Sequence, residues 1–378
     1  MKWIKNVFKV IKKVFYFFYF KQSRFRQRLF LRIKIRKLIK SKSELKVKKN
    51  LDKDYFNKSK KFLQDNFNGY SNTRWHYVFS KLNGIKSIEY IPEELYFTFI
   101  EPALNNFSLV NAFSDKNASN LFIPEKNLPK TVFKIINGDY FAANNDWVSV
   151  SKAQKIISEK TEKLVLKPAI ESGGGRNIVI DNPTNILKIL KEDPQYRKKS
   201  FILQEFAEQH PLLNQFHPNS LNTLRIMTAR INDDIIVLSE YLRLGRNNSN
   251  VDNGMAGGLI CGVNKDGTLK KTGYNKNLNT FIKHPDSGII FEDFKLPGFF
   301  NARDFCMKTH KNFPRFTFIS WDIGISKNNT PIFIEFNLKT QAINGHQIFN
   351  GPLFGEHTQY FIDKYHENRY KIDSIYNN

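Results

Sequence analysis

Cysteine is scarce: Cys261 and Cys306 are the only two in 378 residues. They show no CxxC spacing and no histidine nearby in pattern. This excludes a disulfide framework and a structural zinc site, and points to a reducing compartment. The eight histidines include no HExxH, and His210 and His217, which flank PLLNQF, fit no standard zinc spacing. Long apolar runs are also missing. Val14–Phe20, the longest at the N-terminus, has seven residues, against about 20 for a membrane-spanning helix. Acidic residues are nearly absent from residues 1–50, where Glu44 alone accompanies 18 Lys and Arg. That stretch carries +17 of the net +24, leaving +7 for the other 328 residues. The basic character therefore belongs to the N-terminal segment and says little about the rest. There is no internal repeat, no Walker A pattern and no RRM, zinc-finger or helix-turn-helix signature, so nucleic acid is not an expected partner.

What is present begins with MKWIKNVFKVIKKVFYFFYF. Ile4, Val7, Phe8, Ile11, Val14, Phe15 and Phe18 recur at helical spacing, with Lys2, Lys5, Lys9, Lys12 and Lys13 largely opposite. This pattern predicts a basic amphipathic helix with an aromatic apolar side. Lysines interrupt the apolar core and no small-residue cleavage site follows, unlike a secretory signal. The expectation is that residues 1–52 form a membrane-surface segment. It would hold a cytoplasmic protein peripherally on the anionic inner face of the plasma membrane. The alternatives are a helix packed on its own domain or a protein partner.

A hydrophobic content of 41%, with 14% aromatic, is that of a globular chain with room for two or three subdomains. Residues 53–125 read as an N-terminal cap region, helical early, with an extended ELYFTFIEP run later. From residue 131 strands and helices follow closely: VFKII, a helix capped by Ser149, LVLKPA and NIVI around a glycine turn, a helix opened by Pro183, then FILQEFAE. Hairpins are expected around Asn-Asp-Asp after LRIMTARI and around Lys-Asp-Gly after LICGV. The class is α+β with mostly antiparallel sheets, divided at 126–204 and 205–378.

Several stretches carry chemistry. In FTFISWDIGI-SKNNTP-IFIEFN, strand alternation puts Glu335 and Asn337 on one face, and Asp322 can meet them from the neighbouring strand. Two carboxylates and an amide oxygen suit a hard cation such as Mg²⁺. Lys167 ends a hydrophobic strand just before Gly173, Gly174 and Gly175, an arrangement suited to phosphate: charge from the lysine, close backbone approach from the glycines. Lys134 lies in a second strand-like run. Gln204, Glu205 and Phe206 follow FIL, with Glu208 two residues on; extended backbone there can meet a purine edge, and a carboxylate can meet ribose hydroxyls. Arg225, with Ser220, Asn222 and Thr223 nearby, suits phosphoryl or carboxylate recognition. Arg243 and Arg246 precede the glycine-rich NNSNVDNGMAGG, a candidate substrate or phosphate loop.

In this order, residues 115–355 resemble the ATP-grasp superfamily. The match is closer to the sugar-transfer-associated ATP-grasp family of bacterial capsule and surface-polysaccharide clusters. It is carried by DKN (115–117), KPAIESGGGRNI (167–178), LQEFAEQH (203–210), NSLNTLR (219–225), VDNGMAGG (251–258), SWDIGI (320–325), IEFN (334–337) and GPLFG (351–355). The resemblance implies an ATP-grasp fold, with two α+β subdomains gripping ATP: a lid at 126–204 and a metal and substrate subdomain at 205–378. Lys134 and Lys167 would contact ATP phosphates, and Gly173, Gly174 and Gly175 would form the lid loop. Gln204, Glu205 and Phe206 would line the adenine slot, with Glu208 at the ribose. Asp322, Glu335 and Asn337 would hold one or two Mg²⁺ ions. Arg225, with Asn222 and Lys167, would act on the transferred phosphoryl group. The implied activity is an ATP- and Mg²⁺-dependent carboxylate-amine ligase working through an acyl phosphate. The acceptor would be a sugar, an amino acid or a glycan. The alternatives are a kinase acting on a sugar or lipid-linked intermediate, and a membrane-surface binding protein with a non-catalytic nucleotide site.

Overall fold

In a computed structural model the hydrophobic runs between residues 131 and 337 become, among the described residues, thirteen strands in two antiparallel sheets. The structure describes residues 24–42, 45, 52–170, 177–247 and 257–371. The expected amphipathic helix, Gly173, Gly174, Gly175 and most of the loop after Arg246 lie outside the described residues. Two units are present, one formed by Ser108–Leu338, the other by residues up to Phe107 together with Lys339 onward.

In the Ser108–Leu338 unit the first sheet contains β1 (Thr131–Ile136), β2 (Asp139–Phe141), β3 (Trp147–Val148), β4 (Leu164–Pro168), β5 (Val179–Asp181) and β6 (Phe201–Glu205). Their order is β3-β2-β1-β6-β4-β5. Alternation sorts the side chains. Phe133, Ile135, Leu164, Leu166, Phe201 and Leu203 pack with Ile157 and Ile186 of the helices Val150–Ser158 and Pro183–Glu192. Each such side chain contributes about 1.5–3 kcal/mol when fully buried. Ser149 and Asn182 cap these helices by accepting from the backbone N–H groups of Lys152 and Asn185. The intervening residues of β1, β4 and β6 are left for the opposite face.

The second sheet holds β7 (Thr223–Ile231), β8 (Asp234–Leu244), β9 (Leu259–Val263), β10 (Leu269–Asn275), β11 (Thr280–Phe281), β12 (Phe318–Ile325) and β13 (Pro331–Asn337). The order β11-β10-β9-β8-β7-β12-β13 places β12 between β7 and β13. Asn232 at φ 53° makes the tight turn between β7 and β8, a backbone position that asparagine tolerates. All eight residues of β12 are buried. Trp321 anchors one face of it. Its indole N–H donates to Thr228 Oγ1 at 2.8 Å, and its ring meets those of Phe313, Phe333 and Phe336. Asp322, one residue on, points to the other face.

The second unit is helical. Helix Arg24–Ser41 buries Leu31 and Ile35 despite its many cations. Helices Lys53–Asn66, Arg74–Asn83, Asn344–Asn350 and Thr358–Asn368 also belong to it. The side chain of Gln347 bonds the backbone of Ile91 through both its amide atoms, at 2.9 and 2.8 Å. The expectation of an extended run at ELYFTFIEP is corrected here. Glu93–Leu95 is α-helical, Tyr96–Ile100 is a π-helix and Glu101–Leu104 is α-helical. Aromatic and β-branched residues favour strand, but nearly every side chain in this run is buried, and tertiary packing overrides propensity. The widened π turn lies just before Pro102, whose missing N–H is tolerated at the start of the last segment. Among the described residues no helix is long and apolar enough to cross a membrane.

Candidate functional site

Lys134 in β1 and Lys167 in β4 both stand opposite Ile202 of β6. They therefore leave the same face of the sheet about 10 Å apart, two strand spacings. Both lysines, Ile202 and Gln204 line a cavity of about 820 Å³ that Phe333 and Ile334 of β13 also line.

Lys134 is 4% exposed. Its ammonium donates to Asn120 Oδ1 at 3.1 Å and Asn145 Oδ1 at 2.7 Å, leaving one of three donors. Burial lowers its pKa, with Asp115 opposing. Lys167 is 7% exposed and has no hydrogen bond or ion pair with another described residue. Burial, followed by the charge of Lys116, lowers its pKa to about 8, while Glu335 acts the other way. Lys116 is a further cavity cation that reading the sequence left unassigned; its place in DKN is the one signal that could have found it. Its Nζ lies 3.7 Å from Glu335 Oε2, and its backbone N–H donates to Ala169 O at 2.9 Å. Lys116, Lys126, Lys130, Lys134 and Lys167 thus line one cavity with a single carboxylate, Glu125, among its described lining, a surplus of positive charge that suits a polyphosphate.

The residues after β6 divide. Gln204 is on the cavity face. Its Nε2 donates to Pro129 O at 3.3 Å, and its Oε1 is buried without a partner. Glu205 projects from the opposite face, where Lys160 at 2.7 Å and Lys130 at 3.2 Å hold its carboxylate and keep its pKa low. The Phe206 N–H already donates to Lys163 O at 3.0 Å. Glu208 is exposed and pairs with Lys327 at 3.4 Å. Of these four, only the side chain of Gln204 lines the cavity.

The hairpin β12–β13 pairs Asp322 with Glu335 and Ser320 with Asn337, so Asp322, Glu335 and Asn337 share one face. Asn337 Nδ2 is buried without a partner, and Glu335 is half-buried with Lys116 as a loose neighbour. Asp322 is 2% exposed and clamped. It accepts from Arg225 Nε, from Arg225 Nη2 at 2.8 Å and from Arg243 Nη1 at 2.7 Å. Burial alone would raise the Asp322 carboxyl, but the two guanidiniums outweigh it and hold it below the ordinary aspartate value. The donor set fits a hard divalent cation: Glu335 is open, Asn337 carries an amide oxygen, and Asp322 keeps unused lone pairs beside its arginines.

Asn222 is placed differently. It is fully buried, and its Nδ2 is shared among Gln209 Oε1, Leu213 O and His217 O at 2.9–3.0 Å. Its Oδ1 accepts from the Gly245 N–H at 3.1 Å. The amide holds the 209–217 loop against the start of β7 and has no donor left for a reacting group.

A family model described as sugar-transfer associated ATP-grasp matches residues 98–360, well over half of the chain. No curated protein sequence matches it. Solved structures with a similar fold include the biotin carboxylase domain of the Hydrogenobacter thermophilus 2-oxoglutarate carboxylase, in complex with MgADP, ADP and bicarbonate. There the TM-score is 0.43 and the identity 13%, covering 71% of this chain and 48% of that one. N5-carboxyaminoimidazole synthetase from Staphylococcus aureus, complexed with ADP, gives a TM-score of 0.39 and 9% identity, covering 70% and 54%. L-amino acid ligase from Bacillus licheniformis gives 0.35 and 11%, covering 60% and 40%. The chain spans about half the length of these structures. With two antiparallel sheets bordering a lysine-lined cavity, and with this match, the chain belongs to the sugar-transfer-associated ATP-grasp family.

Proposed function

We propose that the protein is an ATP- and Mg²⁺-dependent ligase that joins an amine to a carboxylate on a sugar or sugar precursor in bacterial surface-polysaccharide synthesis. The observation that supports it is that Lys116, Lys134 and Lys167 line one cavity, with Glu335 3.7 Å from Lys116 and its charge acting on Lys167. ATP with its Mg²⁺ supplies the phosphoryl group that activates the acceptor carboxylate as an acyl phosphate. Lys167, Lys134 and Lys116 hold the phosphate oxygens, and Gln204 gives the nucleotide a polar contact in the cavity wall. Glu335, Asn337 and Asp322 hold the cation. Arg225 and Arg243, fixed by Asp322, keep positive charge next to that cation's ligands, where negative charge develops during phosphoryl transfer.

The test is incubation of the full-length protein with ATP, Mg²⁺ and a small-molecule extract of the native cell, read by mass spectrometry. A condensed product with ADP and phosphate is expected. A stable phosphorylated acceptor would instead establish a kinase, and absence of any nucleotide binding would remove the reading altogether. Residues 1–52 are assigned to the anionic membrane surface on their charge and apolar periodicity.

A further inference from the structure

A second cavity lies within the helical unit, and none of the residues assigned to the nucleotide lines it. Its volume is about 730 Å³, inside the roughly 300–1,000 Å³ span of small-molecule sites. Helices Arg24–Ser41, Lys53–Asn66 and Arg74–Asn83 form its walls. Each contributes cations: Arg36 and Lys40 from the first, Lys53 from the second and Arg74 from the third. No carboxylate among the described residues lines it. Among the described residues none of these four cations has a carboxylate within 4.0 Å. Arg74 is half-buried and donates to the neutral Asn72 Oδ1 at 2.9 Å. Burial, and then the charge of Arg36, lowers its pKa, while Glu94 acts the other way. Arg74 is also the first residue of its helix, where Thr73 makes no side-chain cap bond, so one uncapped positive helix end meets this wall; the end at Lys53 is capped by Asp52.

The remaining lining is apolar. Phe56 and Tyr77 hold their rings 6.3 Å apart, and Ile39 adjoins them. A cavity with unneutralised cations at one part and aromatic carbon at another is complementary to an anion that carries a hydrocarbon group. A free inorganic anion would leave the aromatic wall unused, and a neutral lipid would leave the cations unpaired.

We propose that this cavity binds a phosphate or diphosphate monoester whose organic group is apolar, the head on Arg36, Lys40, Lys53 and Arg74 and the chain on Phe56 and Tyr77. The site is independent of the nucleotide reading.

The test uses the full-length protein and isothermal titration with geranyl diphosphate below its micellar concentration. Inorganic pyrophosphate and geraniol serve as the head and chain alone. Saturable one-to-one binding of geranyl diphosphate is expected, with pyrophosphate at least tenfold weaker and geraniol undetectable. The double substitution Arg36→Gln with Arg74→Gln should weaken geranyl diphosphate at least tenfold. Lys58→Gln, outside the cavity and paired with Asp54 at 2.7 Å, should leave it unchanged. Lys167→Ala should also leave it unchanged, which separates this site from the other cavity. If melting shows the double variant to be misfolded, Lys40→Gln and Lys53→Gln carry the same expectation. The proposal is overturned by absence of geranyl diphosphate binding or by pyrophosphate or geraniol binding equally well. It is also overturned if affinity is lost in Lys167→Ala but retained in the arginine variants.

Discussion

Asp322 stands directly opposite Arg225 in the register of β7 and β12 and takes two hydrogen bonds from its guanidinium, with Arg243 adding another. The same carboxylate is opposite Glu335 on its other side. One aspartate therefore connects the arginine strand to the candidate cation ligands. Substituting Asp322 and its opposite number Glu335 has two separable consequences.

The first is on stability. Asp322→Asn leaves two buried guanidiniums without their counter-charge. Removing one partner of a buried ion pair costs about 3–5 kcal/mol. Urea denaturation of the variant should show a loss of that size; a change under 1 kcal/mol would mean that the clamp is not intact in solution.

The second concerns the cation. Glu335→Gln keeps the shape and removes the charge at a half-buried position, so folding should be little affected. Nucleotide affinity in Mg²⁺ should fall at least tenfold, with a much smaller change in EDTA. Equal affinity with and without the substitution in Mg²⁺ would remove Glu335 from the metal site.

Lys167 gives a pH dependence. Burial lowers its pKa to about 8. Its charge, and with it affinity for polyphosphate, should decline as pH rises from 7 to 9, and Lys167→Arg should flatten that profile. The linkage to folding has the opposite sense. Between about pH 8 and the ordinary lysine value the unfolded chain binds more protons, so stability rises with pH across that window. Titration calorimetry at several pH values checks the first statement, and denaturation midpoints check the second.

Glu101 provides a contrasting case in the helical unit. It is fully buried, accepts the Thr340 and Gln341 N–H groups at 2.9 and 3.0 Å, and burial raises its pKa to about 8. The folded state therefore holds its proton more tightly than the unfolded chain. The resulting stabilisation is present below the ordinary glutamate value and is lost as pH rises toward 8. Glu101→Gln, neutral at every pH, should remove that decline. A variant whose midpoint falls with pH as steeply as the parent would assign the decline to other groups.

Removal of residues 1–23 should abolish binding to anionic liposomes while preserving nucleotide affinity. The cut ends before helix Arg24–Ser41, because Leu31 and Ile35 in that helix belong to the core. Retained liposome binding by the shortened chain would refute the anchor.

Much of the site-bearing region was legible because its signals are local. Alternation in FTFISWDIGI and IFIEFN placed Glu335 and Asn337 on one face, and the hairpin between them needed no distant partner to be recognised. The segment 94–102 departs from expectation because its aromatic, β-branched composition favours strand, while burial around the whole segment and Pro102 favour the helix. Lys116 is not legible in the sequence because a lysine acquires its meaning from what surrounds it. Here Glu335 is more than two hundred positions away in sequence.

By itself, then, the sequence determined the antiparallel α+β class, the order of lysine, glycine loop, arginine strand and acidic hairpin, and the concentration of charge in residues 1–50. These follow from periodicity, spacing and composition. Only the tertiary structure decided which polar groups remain available: Asn222 saturated, Glu205 turned to the lysines behind its sheet, Asp322 clamped by Arg225 and Arg243, and Lys167 left unpaired in the cavity. The reason is physical. A side chain's chemistry depends on its charge partners and its exposure to water, and both are set by strands and helices far away in the chain.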